Sequence, residues 1–219
     1  MKLILYDLDG TLLDSFEDIR ASVNHGLRRM GLPERSIDEI KRFVGDGVEK
    51  LVERALGPAA AHRFDEALAA VLEHYKANPA ESGRPYPGAL AALDRARAAG
   101  LKQAIVTNKP HAIALASCAR TGLAERVDRV QGAGDGFPLK PDPAVAFALM
   151  QEFGATAAET ALLGDGNADA ALARAAGIAF VGCAWGSNST DRLRELGARR
   201  VIESFGEWPG VLNGIERRV

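Results

Sequence analysis

The 219-residue sequence predicts an α/β fold: a Rossmann-like parallel sheet flanked by helices, with an inserted four-helix unit. Three observations carry this. Short apolar runs, each closed by polar residues or Gly, recur along the chain, as buried strands of a parallel sheet do. Helical stretches bounded by Gly or Pro alternate with them, the pattern of a sheet covered on both faces. Residues 15–80 break the alternation and contain no convincing strand.

The first strand is the run 3–6, closed at once by Asp7-Leu8-Asp9-Gly10-Thr11. The strand-free stretch follows. Its first helix spans 15–30 and stops at Gly31. A capping box, Ser36 to Glu39, opens a second helix that reaches Val44. A third spans 48–56 and stops at Gly57-Pro58, and a fourth spans 59–77, before Pro79. The polar segment 78–83, with Pro and Gly, returns the chain to the sheet. Pro87-Gly88 opens the next helix, and Gly100 caps its end. Strands at 104–106, 161–163 and 178–181 follow, with a weaker one at 201–202. Helices at 141–153 and 167–176 separate them, each closed by Gly. Thr156 and Glu159 form a second capping box ahead of the strand at 161. The division is a Rossmann-like core, 1–14 and 81–219, and an inserted helical domain, 15–80.

Apolar residues make up 47% and charged residues 26% of the chain, the balance of a globular protein. A formal net charge of −2 argues against nucleic acid or an anionic membrane as partner. The N-terminal apolar run is too short for a signal peptide, and no uncharged stretch reaches membrane-spanning length, so a cytoplasmic location is expected. Cys118 and Cys183 read as reduced, partly buried thiols. His25, His62, His74 and His111 lack zinc-ligand spacing. The run 132–136 has the wrong glycine spacing for a dinucleotide site, and no GxxxxGK[ST] loop occurs.

In an open parallel sheet, ligands bind at the carboxyl ends of the strands. Three expected strand ends carry Asp7 and Asp9, Thr107 and Asn108, and Asp165 and Asp169. Lys140 stands at a helix start beside them. Asp7, Asp9 and Asp165 would repel one another without a counter-charge. A divalent cation removes the repulsion, and an oxygen-only site with few protein ligands suits Mg2+. Gly10 lets backbone N–H groups approach an anion, and Thr107 can donate a hydroxyl hydrogen bond to it. Each feature alone reads as a turn, a helix start or a solvated charge. Their occurrence in order, at expected strand ends and helix starts, points to a phosphoryl site.

Asp7-Leu8-Asp9-Gly10-Thr11-Leu12, Val106-Thr107-Asn108, Lys140-Pro141 and Gly164-Asp165-x-x-x-Asp169 resemble the four signature motifs of the haloacid dehalogenase-like hydrolase superfamily. The resemblance covers essentially the whole chain, and the inserted helices resemble that superfamily's helical cap. Thr107-Asn108-Lys109-Pro110, Lys140-Pro141-Asp142-Pro143 and Val44-Gly45-x-Gly47 are most similar to the phosphoglycolate phosphatase group. The resemblance implies a Mg2+-dependent phosphatase acting on a small phosphorylated metabolite. Asp7 would be the nucleophile that forms an aspartyl-phosphate, and Asp9 the acid and then the base. The Asp7 carboxylate, the Asp9 backbone carbonyl and Asp165 would hold the metal. Thr107 and Lys140 would bind phosphoryl oxygens, with Gly10, Thr11 and Asn108 lining the same site and Asp169 supporting metal and lysine. A phosphomutase resembling β-phosphoglucomutase and a non-enzymatic phosphometabolite-binding protein are the alternatives, and the chain is expected as a monomer or homodimer. In the cap, Ile37, Ile40 and Val44 share one helix face and Arg42 lies nearly opposite. Residues 42–47 are therefore expected to contact the leaving group, with Arg42 pairing a carboxylate and Asp46 opposing that charge or bonding a hydroxyl.

Overall fold

The computed structural model describes residues 1–208, so residues 209–219 of the expected core lie outside the described residues. Strand β1 (Leu3–Tyr6) is buried at all four positions. It pairs in parallel with β4 (Lys102–Pro110) on one side and β6 (Thr160–Gly164) on the other. Beyond β6 lie β7 (Ala179–Cys183) and β8 (Arg200–Ile202), and beyond β4 lies β5 (Arg129–Ala133). The six-stranded order is β5-β4-β1-β6-β7-β8, parallel throughout.

Alternate β1 side chains enter opposite cores, as the period of a strand requires. Ile4 and Tyr6 pack with Leu93 of α5 (Ala89–Ala98) and Ala114 of α6 (His111–Arg120). Leu3 and Leu5 pack with Leu149 of α7 (Ala144–Glu152), Leu172 of α8 (Asn167–Ala176) and Leu193 of α9 (Thr190–Glu195). Cys118 and Cys183 are buried free thiols. Among the described residues no helix is long and apolar enough to cross a membrane.

The stretch 15–80 forms α1 (Phe16–Arg29), α2 (Ile37–Phe43), α3 (Val48–Ala60) and α4 (Phe64–Ala77). Ile19, Leu27, Ile40, Leu51, Val71 and Tyr75 contribute to a third hydrophobic cluster, joined by Ile113 of α6. The Ser36 capping box is present: its Oγ accepts from the Glu39 N–H at 3.3 Å, and Glu39 Oε2 accepts from the Ser36 N–H at 2.9 Å. Helix α3 breaks at Gly57, where φ is 67°. Two short strands, β2 (Leu13–Asp14) and β3 (Arg84–Pro85), pair antiparallel where the chain leaves and re-enters the sheet. Asp18 accepts from the N–H groups of Ser82 at 2.7 Å and Gly83 at 2.8 Å, tying the return crossing to α1.

Several elements differ from the sequence expectation. Strand β5 is absent from it, because an edge strand reading Arg-Val-Gln-Gly-Ala has no continuous apolar run. Its Gly132 is packed so closely that a Cβ would lie 2.6 Å from His111 Cα. The β2–β3 ribbon, α6 and α9 are also absent from it. Helix α7 begins at Ala144 rather than at 141, where Asp142 Oδ1 accepts from the Ala144 N–H at 2.9 Å.

Candidate active site

Because β4, β1 and β6 are neighbours, their carboxyl ends bring Thr107, Asp7 and Asp165 to one place. Asp7 Oδ1 accepts from the Leu8 N–H at 2.7 Å and lies 2.8 Å from Lys140 Nζ. The same ammonium lies 2.7 Å from Asp169 Oδ1. Asp169 is placed by α8, whose first turn it closes by accepting from the Gly166 N–H at 2.9 Å. Asp7, Asp165 and Asp169 each offer one carboxylate oxygen within 4.8 Å of the others.

Three carboxylates face one ammonium, and the titration behaviour follows from that imbalance. Burial, then the field of Asp169, pushes the Asp7 carboxyl up to about 7, against the pull of Lys140. Burial raises Asp165 and Asp169 as well, with Asp7 adding to the first and Asp165 to the second. Burial alone would weaken the charge on Lys140, but Asp169 and Asp7 outweigh it and hold the ammonium above its ordinary range.

Asp165 is gripped tightly. Its Oδ1 accepts from Thr11 Oγ1 at 2.7 Å, and its Oδ2 accepts from the N–H of Ser187 at 2.7 Å and its Oγ at 2.6 Å. Two glycines make room for it: a Cβ on Gly10 (φ 84°) would lie 2.5 Å from Asp165 Oδ2, and one on Gly186 2.3 Å from the same atom. The loop after β7 that supplies Ser187 and Gly186 went unrecognised in the sequence, where only its Gly and Ser content signals a turn.

The structure redirects several expected site residues. Thr107 lines the cleft, and its Oγ1 accepts from the Lys109 N–H at 3.2 Å, leaving its hydroxyl proton available. Thr11 spends its hydroxyl on Asp165 rather than on a ligand. The Asn108 amide is a staple: it donates to the carbonyls of Gly45 at 2.9 Å and Lys140 at 3.0 Å, and accepts from the Lys140 N–H at 2.7 Å. It therefore positions Lys140 and the cap loop, and both of its N–H groups are spent on them rather than on a ligand. Arg42 and Asp46 are exposed and do not line the cleft. Asp46 turns outward to Arg54 Nη2 at 2.5 Å, while Arg54 Nη1 holds the Phe43 carbonyl at 2.7 Å. The loop thus presents Val44, Gly45 and Gly47 to the cleft in place of its charged side chains.

The Asp9 carboxylate stands apart from the triad. Its Oδ1 accepts from Ser15 Oγ at 2.5 Å and from Lys109 Nζ at 2.7 Å. Lys109 Nζ also donates to the Tyr75 hydroxyl of α4. Burial opposes the charge on Lys109, but Asp9 and Tyr75 overcome it and hold the ammonium above its ordinary range. Lys109 and Tyr75 are functional candidates that sequence reasoning missed, since their partners lie far along the chain. The cleft encloses about 440 Å³ including its solvent-open part. Ile19, Val44, Val48 and Leu51 wall its cap side, and Asp7, Asp9, Thr107 and Lys140 form its floor.

The donor set fits a small hard cation. All three clustered groups are carboxylates, buried and deficient in positive charge, and none is a nitrogen or sulfur ligand.

Residues 4–183 match the haloacid dehalogenase-like hydrolase family. The phosphoglycolate phosphatase of Rhodospirillum rubrum is 35% identical, over 95% of this chain and 91% of its own. The plasmid-borne phosphoglycolate phosphatase of Cupriavidus necator is 36% identical, over 95% and 92%. Among solved structures, a predicted phosphoglycolate phosphatase from Haemophilus somnus superposes with a TM-score of 0.88 at 26% identity, covering 96% of this chain and 97% of that one. With the parallel sheet, the aspartates at its strand ends and these likenesses in hand, the chain belongs to the haloacid dehalogenase-like hydrolases.

Proposed function

We propose that the protein is a Mg2+-dependent phosphatase that hydrolyses a small phosphomonoester, 2-phosphoglycolate or a close analogue, through an aspartyl-phosphate on Asp7. The observation that carries this is the Asp7 carboxylate at the end of β1, 2.8 Å from Lys140 and in one cluster with Asp165 and Asp169. Relatives named phosphoglycolate phosphatase, matching along nearly the full chain, support the substrate class.

An Asp7 oxygen would attack phosphorus as the bond to the leaving-group oxygen breaks, and the proton on Asp9 would pass to that oxygen. Asp9 would then take a proton from water, whose oxygen attacks phosphorus and releases inorganic phosphate and the Asp7 carboxylate. Lys140 would hold a phosphoryl oxygen, and the free hydroxyl proton of Thr107 another. Asp7, Asp165 and the Asp9 backbone carbonyl would hold the Mg2+, with Asp169 beside them. Bound there, the ion supplies positive charge to the phosphoryl oxygens and keeps Asp7 ionised. Helices α1 to α4 act as a cap that excludes water from the cleft.

Phosphate release from 2-phosphoglycolate, with Mg2+ and with excess chelator, tests the reading. Turnover with Mg2+ and its loss in chelator are expected. Full activity in chelator contradicts the metal assignment, and transfer to a sugar hydroxyl without phosphate release favours a mutase.

A further inference from the structure

The cleft contains a cation that the reaction above does not use. Lys109 is 5% exposed and lines the cleft with Asp7 and Asp9. Among the described residues, Lys140 is shared between two carboxylates, whereas Lys109 bonds Asp9 and the Tyr75 hydroxyl. An ammonium has three donors, so one remains. Tyr75 accepts from Lys109, so its own proton is also available, and burial keeps its phenol protonated. The remaining cap-side wall is aliphatic, and Arg42 lies outside it. Among the described residues lining the cleft, Lys109 and Lys140 are the cationic side chains.

We infer that Lys109, with the Tyr75 hydroxyl, receives a carboxylate of the leaving group and selects phosphorylated acids over neutral phosphate esters. The inference rests on the phosphatase reading. It also rests on geometry: Lys109 Nζ is 2.7 Å from Asp9 Oδ1, and Asp9 is the group that would protonate the ester oxygen. In 2-phosphoglycolate a single methylene separates that oxygen from the carboxylate, so a cation touching Asp9 stands where the carboxylate arrives. A charge-assisted bond in an otherwise apolar wall discriminates strongly, because a neutral group leaves the ammonium less well paired. Tyr75 comes from α4 and Lys109 from β4, so acid recognition also joins cap to core.

The test compares kcat/KM for 2-phosphoglycolate and 2-hydroxyethyl phosphate, in which a hydroxymethyl group replaces the carboxylate. It is run on the wild type, Lys109→Met and Tyr75→Phe. The wild type should prefer the acid. Lys109→Met should lower the preference roughly 10- to 100-fold, and Tyr75→Phe by a smaller factor, on the scale of hydrogen bonds to charged groups. A residue that only orients Asp9 would slow both substrates by the same factor, and that result overturns the inference while leaving the phosphatase reading intact. No acid preference in the wild type overturns both the substrate assignment and this inference. If Lys109→Met is too slow to measure, Tyr75→Phe decides, since it keeps the ring and the Lys109–Asp9 pair; an unchanged preference there also overturns the inference.

Discussion

Asp7 and Asp9 stand two positions apart and meet different cations, Lys140 and Lys109. In the proposed mechanism that separation would let Asp7 act as nucleophile while Asp9 handles protons. Asp7→Asn should abolish phosphate release, and Asp9→Asn should lower kcat roughly 10²- to 10⁴-fold, the usual worth of a positioned acid and base. Steady-state phosphate release checks both, and near-wild-type turnover by either variant would contradict the roles. Asp165 depends on missing side chains around it. Gly186→Ala would place a Cβ 2.3 Å from its Oδ2, so the Mg2+ concentration for half-maximal activity should rise at least about 10-fold, a cost of ~1.4 kcal/mol; an unchanged value would show that the loop relaxes freely. Asp46→Ala, by contrast, breaks only an exposed pair and should cost less than about 1 kcal/mol in chemical denaturation, with no change in substrate preference. A changed preference would restore the leaving-group role expected for that loop. Asp7 and Asp165 were legible because each closes a short apolar run. The orientation of Asp46 was not, because a helical wheel cannot say which way the next loop turns.

Among the elements, β4 does the most joining. Its Asn108 bonds the cap loop at Gly45 and both backbone groups of Lys140. Asn108→Ala should leave the buried Lys140 N–H without its partner, costing about 1–3 kcal/mol of stability, and should lower kcat through a displaced Lys140. Thermal unfolding and kinetics on the same variant check this, and a stability loss with kcat unchanged would make Asn108 structural only. In the sequence, Thr107-Asn108 alone reads as a helix start, but both residues lie in β4, and α6 begins only at His111. The three-way staple could not be read there, since its partners lie 63 and 32 residues away. The central strands were legible for the opposite reason: β1, β6 and β7 are buried throughout and, apart from Thr160 and Tyr6, carry no polar side chain. Strand β5, paired on one side only, carries no such signal.

At the scale of the whole molecule, folding gathers carboxylates that resist ionising together. Without metal, Asp7 titrates at about 7, above its ordinary 3.8, so the native state binds more protons than the unfolded chain between those values. Stability from this group is present at low pH and is lost as pH rises through about 7. A cation competes with those protons. Against a group titrating near 7, pH 5.5 weakens metal binding roughly 30-fold, about 2 kcal/mol, relative to alkaline pH. The rise in Tm on adding Mg2+ should therefore be larger at pH 8 than at pH 5.5, by about 4–8 °C for a chain of this size. An equal rise at both pH values would mean that the metal does not bind through Asp7.

In the proposed reaction the phosphoryl group passes through Asp7. Acetyl phosphate needs no proton on its leaving group, so Asp9→Asn can still be phosphorylated by it yet lacks the base to hydrolyse the product. Acid-quenched Asp9→Asn, treated with acetyl phosphate and Mg2+ and mapped by peptide mass spectrometry, should carry the phosphoryl group on Asp7, and the Asp7→Asn/Asp9→Asn double variant should carry none. A phosphoryl group on any other residue, or on the double variant, would rule out Asp7 as the nucleophile.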